Sequence, residues 1–223
     1  MKKKSRKGFG AKLLIVLPFL FLLNSCVGLS MEIQMRRDGS GRLVLEYRVS
    51  RMAESLGRLD GNENWPIIPA GRADFERTVA RIPGMRLVSF SSSEGSQDVV
   101  TNVTLEYENT EALLKFLDPS GTRATLITEN QSNRLDIILN EAVSSNYDED
   151  LLKLARQVSA GYGLSISFSA EGNSALSFTD GEGTAAQAPA AAQTVLSGRK
   201  TSLSIGIIDL LEIREGLGVS FSW

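Results

Sequence analysis

The sequence predicts an α+β fold, a meandering antiparallel sheet of hairpins with amphipathic helices packed on one face. Three observations predict it. Four stretches alternate apolar and polar residues with a period of two. Turn signals built from Gly, Asp, Asn and Ser separate these stretches from neighbouring strand-like segments. Short segments of helical period fall between the hairpins. Period-two alternation gives one dry face and one wet face, as in antiparallel sheets rather than buried parallel ones.

The first strand lies near Met31–Arg36. Asp38-Gly39-Ser40-Gly41 turns it into Arg42–Ser50, where Leu43, Leu45, Tyr47 and Val49 share one side. Arg72–Ile82 then reads as a helix with Phe75, Val79 and Ile82 at i, i+4 and i+7, stopped by Pro83-Gly84. Arg86–Ser91 and Val99–Glu108 pair across Ser93-Glu94-Gly95-Ser96, with Val103, Leu105 and Tyr107 on the dry side. Thr110–Leu117 is a short helix ended by Asp118-Pro119, with Leu113, Phe116 and Leu117 inward. Thr122–Glu129 and Arg134–Asn140 form the next hairpin across Asn130-Gln131-Ser132-Asn133.

Asp148–Ala160 is a helix with Leu151, Leu152, Ala155 and Val158 on one stripe. Asp148, Glu149 and Asp150 sit in its first turn, at the positive end of the helix dipole. Leu164–Ala170 then pairs with Ala175–Phe178 across Glu171-Gly172-Asn173. Ile166 and Phe168 lie on its dry side, and serines line the other. A short helix at Ile208–Arg214 leads to a last strand ending at Trp223. Between them, Gly181–Ala192 is low in complexity and poor in large apolar groups, so a flexible loop is expected near residues 181–197.

Charge divides the chain into two parts. The formal net charge is −2, from 24 basic and 26 acidic residues. Residues 1–25 hold six of the basic groups and no acid, so the remainder carries 18 basic against 26 acidic groups, a net of −8. The basic start runs into the apolar stretch Leu13–Leu23, which as a helix rises only about 16 Å, roughly half a bilayer core. A basic segment followed by a short apolar one is the pattern of an export signal, so residues 1–25 read as a signal peptide. The remaining residues, 26–223, suffice for a single domain.

The only cysteine, Cys26, follows Leu23-Asn24-Ser25, with Leu at −3 and a small residue at −1. This resembles the lipobox of bacterial lipoproteins, in a loose form of the spirochaetal type, with Asn24 at −2 in place of the usual Ala, Ser or Thr. The resemblance implies cleavage before Cys26 and acylation of its thiol. Two or three acyl chains, at about 0.8 kcal/mol per buried CH₂, anchor a protein stably where one is marginal. The expected location is the cell envelope, lipid-anchored to a membrane and facing the periplasm or exterior.

Composition also excludes chemistry. The chain has no histidine, so His-based triads and Cys/His metal sites are absent, and one cysteine forms no internal disulfide. Ser197-Gly198-Arg199-Lys200 matches the S-x-x-K pattern of serine acyl-enzymes but precedes a strand and lacks the partner motifs. Asp60-Gly61-Asn62-Glu63-Asn64 opens like a calcium loop, yet Trp65 stands where the loop needs Gly and Gly71 where it needs Glu. Neither a metal nor another cofactor is expected, and the chain reads as no enzyme. The arginines are scattered on an acidic domain without interleaved aromatics, which disfavours nucleic acid.

Three stretches together resemble the LppM-like domain of bacterial lipoproteins. They are the Cys26 region running through Met31–Gly41 into the next strand, Val99–Tyr107 leading to Thr110–Leu117, and the hairpin of Thr125–Glu129 with Arg134–Leu139. The resemblance implies a lipid-anchored α+β domain linked to binding of lipids or glycolipids at the envelope. It supplies no catalytic residues. The mycobacterial member has a C-terminal membrane helix, where this chain reads as a strand.

The expected function is therefore a non-catalytic envelope lipoprotein that binds lipid or another apolar ligand. Leu43, Leu45, Tyr47, Leu105, Tyr107, Ile166 and Phe168 are the candidate ligand-lining residues, and Cys26 is the lipidation site. The alternative is a protein–protein interaction or assembly module of the envelope. Its apolar contact patch would be Trp65-Pro66-Ile67-Ile68-Pro69.

Overall fold

The structure is a computed structural model that describes residues 27–51, 71–129, 132–142, 149–159, 161–172 and 174–223. Twelve strands and four helices follow one another among these residues. They are β1 (Val27–Met35), β2 (Gly41–Ser50), α1 (Arg72–Val79), β3 (Met85–Glu94), β4 (Asp98–Tyr107), α2 (Thr110–Leu117), β5 (Ala124–Glu129), β6 (Ser132–Asn140), α3 (Glu149–Val158), β7 (Gly163–Ala170), β8 (Ala175–Thr179), β9 (Ala185–Ala186), β10 (Gln193–Ser197), β11 (Lys200–Gly206), α4 (Ile207–Glu212) and β12 (Leu217–Ser222). The fold is α+β and predominantly strand.

The single meander expected from the sequence is replaced by two sheets. One has seven strands in the order β10-β11-β7-β1-β2-β4-β3, the other five in the order β5-β6-β12-β8-β9. The β1–β2, β3–β4 and β5–β6 hairpins form in antiparallel register. The fourth does not. β7 lies parallel to β1 on one side and antiparallel to β11 on the other, so no edge is left for β8. β8 crosses to the smaller sheet and pairs with β12. The turn signal at Glu171-Gly172 is real, but long-range pairings have already occupied both edges of β7.

The first hairpin shows why its turn residues are what they are. Asp38 Oδ1 accepts from the Ser40 backbone N–H at 2.9 Å and from the Ser40 hydroxyl at 2.7 Å. Gly39 takes φ +80°, which a side chain disfavours. A Cβ on Gly41 would lie 2.0 Å from the Gln34 carbonyl oxygen and 2.4 Å from Tyr107 Oη. Only glycine admits that approach.

Alternation places the apolar sides of β1, β2, β4, β7 and β11 on one face of the large sheet. Ile33, Leu43, Leu105, Phe168 and Leu203 on that face are fully buried. Phe75 of α1 packs 5.9 Å from Tyr47 and 6.0 Å from Phe90, covering the β2–β4–β3 part. Asn109 caps α2 by accepting from the Ala112 N–H at 2.9 Å, and Ala112 and Leu113 enter the same core. The small sheet contributes Leu135, Val219 and Phe221, and Phe168 stacks on Phe221 with ring centroids 5.3 Å apart. Helix α3 packs on α4, where Ala155 and Ile208 form a small separate cluster with Leu152 and Ile207.

The expected loop at 181–197 is irregular only in part. Ala185–Ala186 pairs with β8, and Gln193–Ser197 is the edge strand β10. Strand β10 forms because β11 offers it a free edge, a partner that local composition does not reveal.

Candidate functional site

All seven candidate lining residues point to the same side of the large sheet. Leu43, Leu45 and Tyr47 come from β2, Leu105 and Tyr107 from β4, and Ile166 and Phe168 from β7. Each is 9% exposed or less, and all belong to one packed cluster. The structure thus brings them together as packing partners, and neither cleft described below includes them. Burial pushes the Tyr47 hydroxyl up to about 12 and raises that of Tyr107 against the pull of Arg36. Both stay protonated at neutral pH, and Tyr107 donates to the Gln34 carbonyl at 2.9 Å.

Cys26 and the Trp65–Pro69 patch lie outside the described residues, as does the Asp60 loop. Strand β1 begins at Val27, directly after Cys26.

Among the described residues, one open cleft lies at each end of the large sheet. The first, about 580 Å³, sits where β1 begins. Its floor is the outer face of β1, β7 and β11, where Ser30 and Ser204 flank Ser165 in one register row. Gly163 and Gly206 pair in the row beyond, so the floor carries no large side chain. Arg48 and Tyr162 stand at its margins, and the Tyr162 hydroxyl donates to Asp98 Oδ1.

The second cleft, about 410 Å³, sits at the far end of β1. Arg36, Arg42 and Arg199 line it, with Glu171 as the one carboxylate, and Gln34 and Ser169 supply polar side chains. Nearby acids are largely engaged. Glu106 binds Arg42 at 3.1 Å and also pairs with Arg86. The hydrogen bond from Arg42, with the Arg86 and Arg42 charges, holds the Glu106 carboxyl below its ordinary range. Glu171 pairs with Arg37 at 2.9 Å, and Glu32 pairs with Lys200 at 2.7 Å. The Lys200 hydrogen bond is the main reason the Glu32 carboxyl titrates low.

Ser197 and Lys200 are cross-strand partners flanking the two-residue turn Gly198-Arg199. The S-x-x-K match is therefore a hairpin, with Lys200 committed to Glu32. Among the described residues, no three acidic or cysteine side chains converge as a metal site, and no helix is long and apolar enough to cross a membrane.

In the sequence Arg36 and Arg42 read as scattered surface charge and Arg199 as part of the S-x-x-K match. The strand order β11-β7-β1-β2 joins them, and no local signal encodes that order. No family model, no curated protein and no solved structure matches this chain.

Proposed function

We propose that the protein is a non-catalytic lipoprotein of the cell envelope, held to a membrane by acyl chains on Cys26. The folded domain then serves as a binding module for lipid or another apolar ligand, in the manner of the LppM-like domains that the sequence resembles. The observation that carries the reading is the N-terminal order of basic segment, 11 apolar residues and a sole cysteine. The start of β1 at Val27 supports it, since an anchor on Cys26 would hold the large sheet against the membrane with almost no linker. The packed interior means that an apolar ligand would lie in an open cleft rather than inside the core. The shallow trough beside the start of β1 lies close to such an anchor.

The test is metabolic labelling with palmitate. The wild-type chain incorporates label and partitions into the detergent phase. Cys26→Ser does neither, and label surviving that change refutes the lipobox reading.

The alternative, a protein–protein interaction module, has one specific observation in its favour. Strand β10 is an edge strand without a charged side chain, and Val195 and Leu196 are 59% and 68% exposed. Natural edges are usually blunted by charge, and an unprotected one can add a strand from a partner. Cross-linking in cells should capture a partner through β10. Capture unchanged after Val195→Lys and Leu196→Lys counts against this reading.

A further inference from the structure

We propose that the cleft at the far end of β1 binds an oxyanion of the phosphate type carrying two or more negative charges. Three guanidinium groups and one carboxylate line it, on a domain whose net charge is −8. The local excess of positive charge therefore opposes the charge of the whole. Arg42 and the Glu171 carboxylate already have ion-pair partners. Arg36 and Arg199 have no carboxylate within ion-pair distance among the described residues. Arg36 donates to the Ser40 hydroxyl at 3.2 Å, and its charge also reaches the Asp38 and Glu106 carboxylates without a contact ion pair. Two guanidiniums that line one cleft without a contact ion pair are matched by an anion that can take a fork of N–H donors from each.

The framework holding them is ordered. Arg36 sits on the first hairpin, where its N–H donates to the Ser40 carbonyl at 2.8 Å and its carbonyl accepts from Gly39 at 3.1 Å. The Arg199 turn is pinned from behind, because the Ser174 hydroxyl donates to the Arg199 carbonyl at 2.9 Å and meets the Thr201 hydroxyl at 2.9 Å. Ser174 and Thr201 are both buried. Gly41 and the Tyr107 hydroxyl fix the strand end between these turns. Gln34 and Ser169 add neutral donors to the cleft.

The site also lies at a defined distance from the start of β1. Strand β1 runs nine residues from Val27, so the cleft stands about 30 Å from the start of the strand. If Cys26 is the anchor and β1 stands upright on the membrane, the cleft is clear of the headgroups around the acyl chains and a free anion is the source. That corollary rests on the proposed anchoring, and the anion site itself does not.

The experiment is titration calorimetry of the full chain in neutral detergent at low salt and pH 8, with inorganic pyrophosphate in one arm and short-chain phosphatidic acid, a phosphomonoester, below its micelle concentration in the other. Pyrophosphate should bind, and the Arg36→Gln/Arg199→Gln pair should weaken it by about tenfold or more. Arg77→Gln, on α1, should leave it unchanged. Arginine-dependent binding of the lipid as well would extend the source to headgroup phosphates, and its absence would point to a free anion. Lack of binding in both arms overturns the proposal, as does binding that the double variant leaves intact. Thermal melts showing all variants folded keep that result interpretable. Repeating the titration with Cys26→Ser separates the two ideas. Binding that persists there while palmitate labelling is lost shows a site independent of the anchor.

Discussion

Phe168→Ala is the most informative single change, because it decides whether the seven aligned apolar residues are core or ligand wall. Phe168 is fully buried on β7, 5.3 Å from Phe221 and 4.8 Å from Trp223, and so ties the two sheets together. Truncating a buried Phe to Ala typically costs about 3–5 kcal/mol, the loss of transfer energy plus a cavity. Each aromatic pair adds about 0.5–1.5 kcal/mol beyond its area. Phe168 has two such partners, so a loss of about 4–5 kcal/mol is expected. For a domain of this size that corresponds to a fall in Tm of about 8–20 °C. Urea denaturation of the non-acylated chain measures it directly. Phe168→Leu keeps most of the volume and should lose only about 1–2 kcal/mol. A double-mutant cycle between Phe168→Leu and Trp223→Leu should recover a coupling of about 0.5–1.5 kcal/mol. A loss below about 1 kcal/mol for Phe168→Ala would mean that the ring borders empty space, and would refute the core assignment.

Two further changes probe the buried polar groups. Asp118 follows α2, and burial opposes its ionisation. The Ser120 hydroxyl and the backbone N–H groups of Arg123, Ala124 and Ser120 outweigh that and hold its carboxyl far below the usual carboxylate range. A carboxyl depressed in the folded state stabilises above its unfolded pKa of about 4 and loses that contribution as pH falls toward the folded value. Asp118→Asn should therefore cost about 1–3 kcal/mol at pH 7, and its deficit against wild type should shrink below about pH 4. A deficit that stays constant from neutral pH to about pH 3 contradicts this account. Tyr107→Phe removes the donor to the Gln34 carbonyl while keeping the buried ring, and should cost about 1–2 kcal/mol by urea denaturation. An unchanged midpoint would show that the carbonyl finds water instead.

Which parts were legible follows from the range of each interaction. Alternation is local, so the sequence alone puts Leu43, Leu45 and Tyr47 on one face of one strand and bounds α2 at Thr110–Leu117, as the structure has them. Hairpins with short turns were legible for the same reason. The parallel pairing of β1 with β7, and the insertion of β12 between β6 and β8, depend on which edges remain free after the rest of the chain has folded. No residue near Glu171 encodes that, so the hairpin expected of Leu164–Ala170 with Ala175–Phe178 does not form.

The candidate site failed to emerge from sequence for a related reason. An apolar row and a ligand-lined wall have the same pattern, and only the groups arriving from elsewhere decide between them. Phe75 from α1 and Phe221 from β12 fill the space over Tyr47 and Phe168, which turns the row into core. The second cleft is the converse case. Arg36 and Arg199 look like ordinary surface charge until β7 and β11 bring them to one rim, and Glu171, Glu32 and Glu106 there are paired with Arg37, Lys200, and Arg42 and Arg86. Whether a charged residue is solvated surface or part of a site is set by the partners its neighbours have already taken, and at this end of the sheet two guanidiniums line the cleft without a contact ion pair.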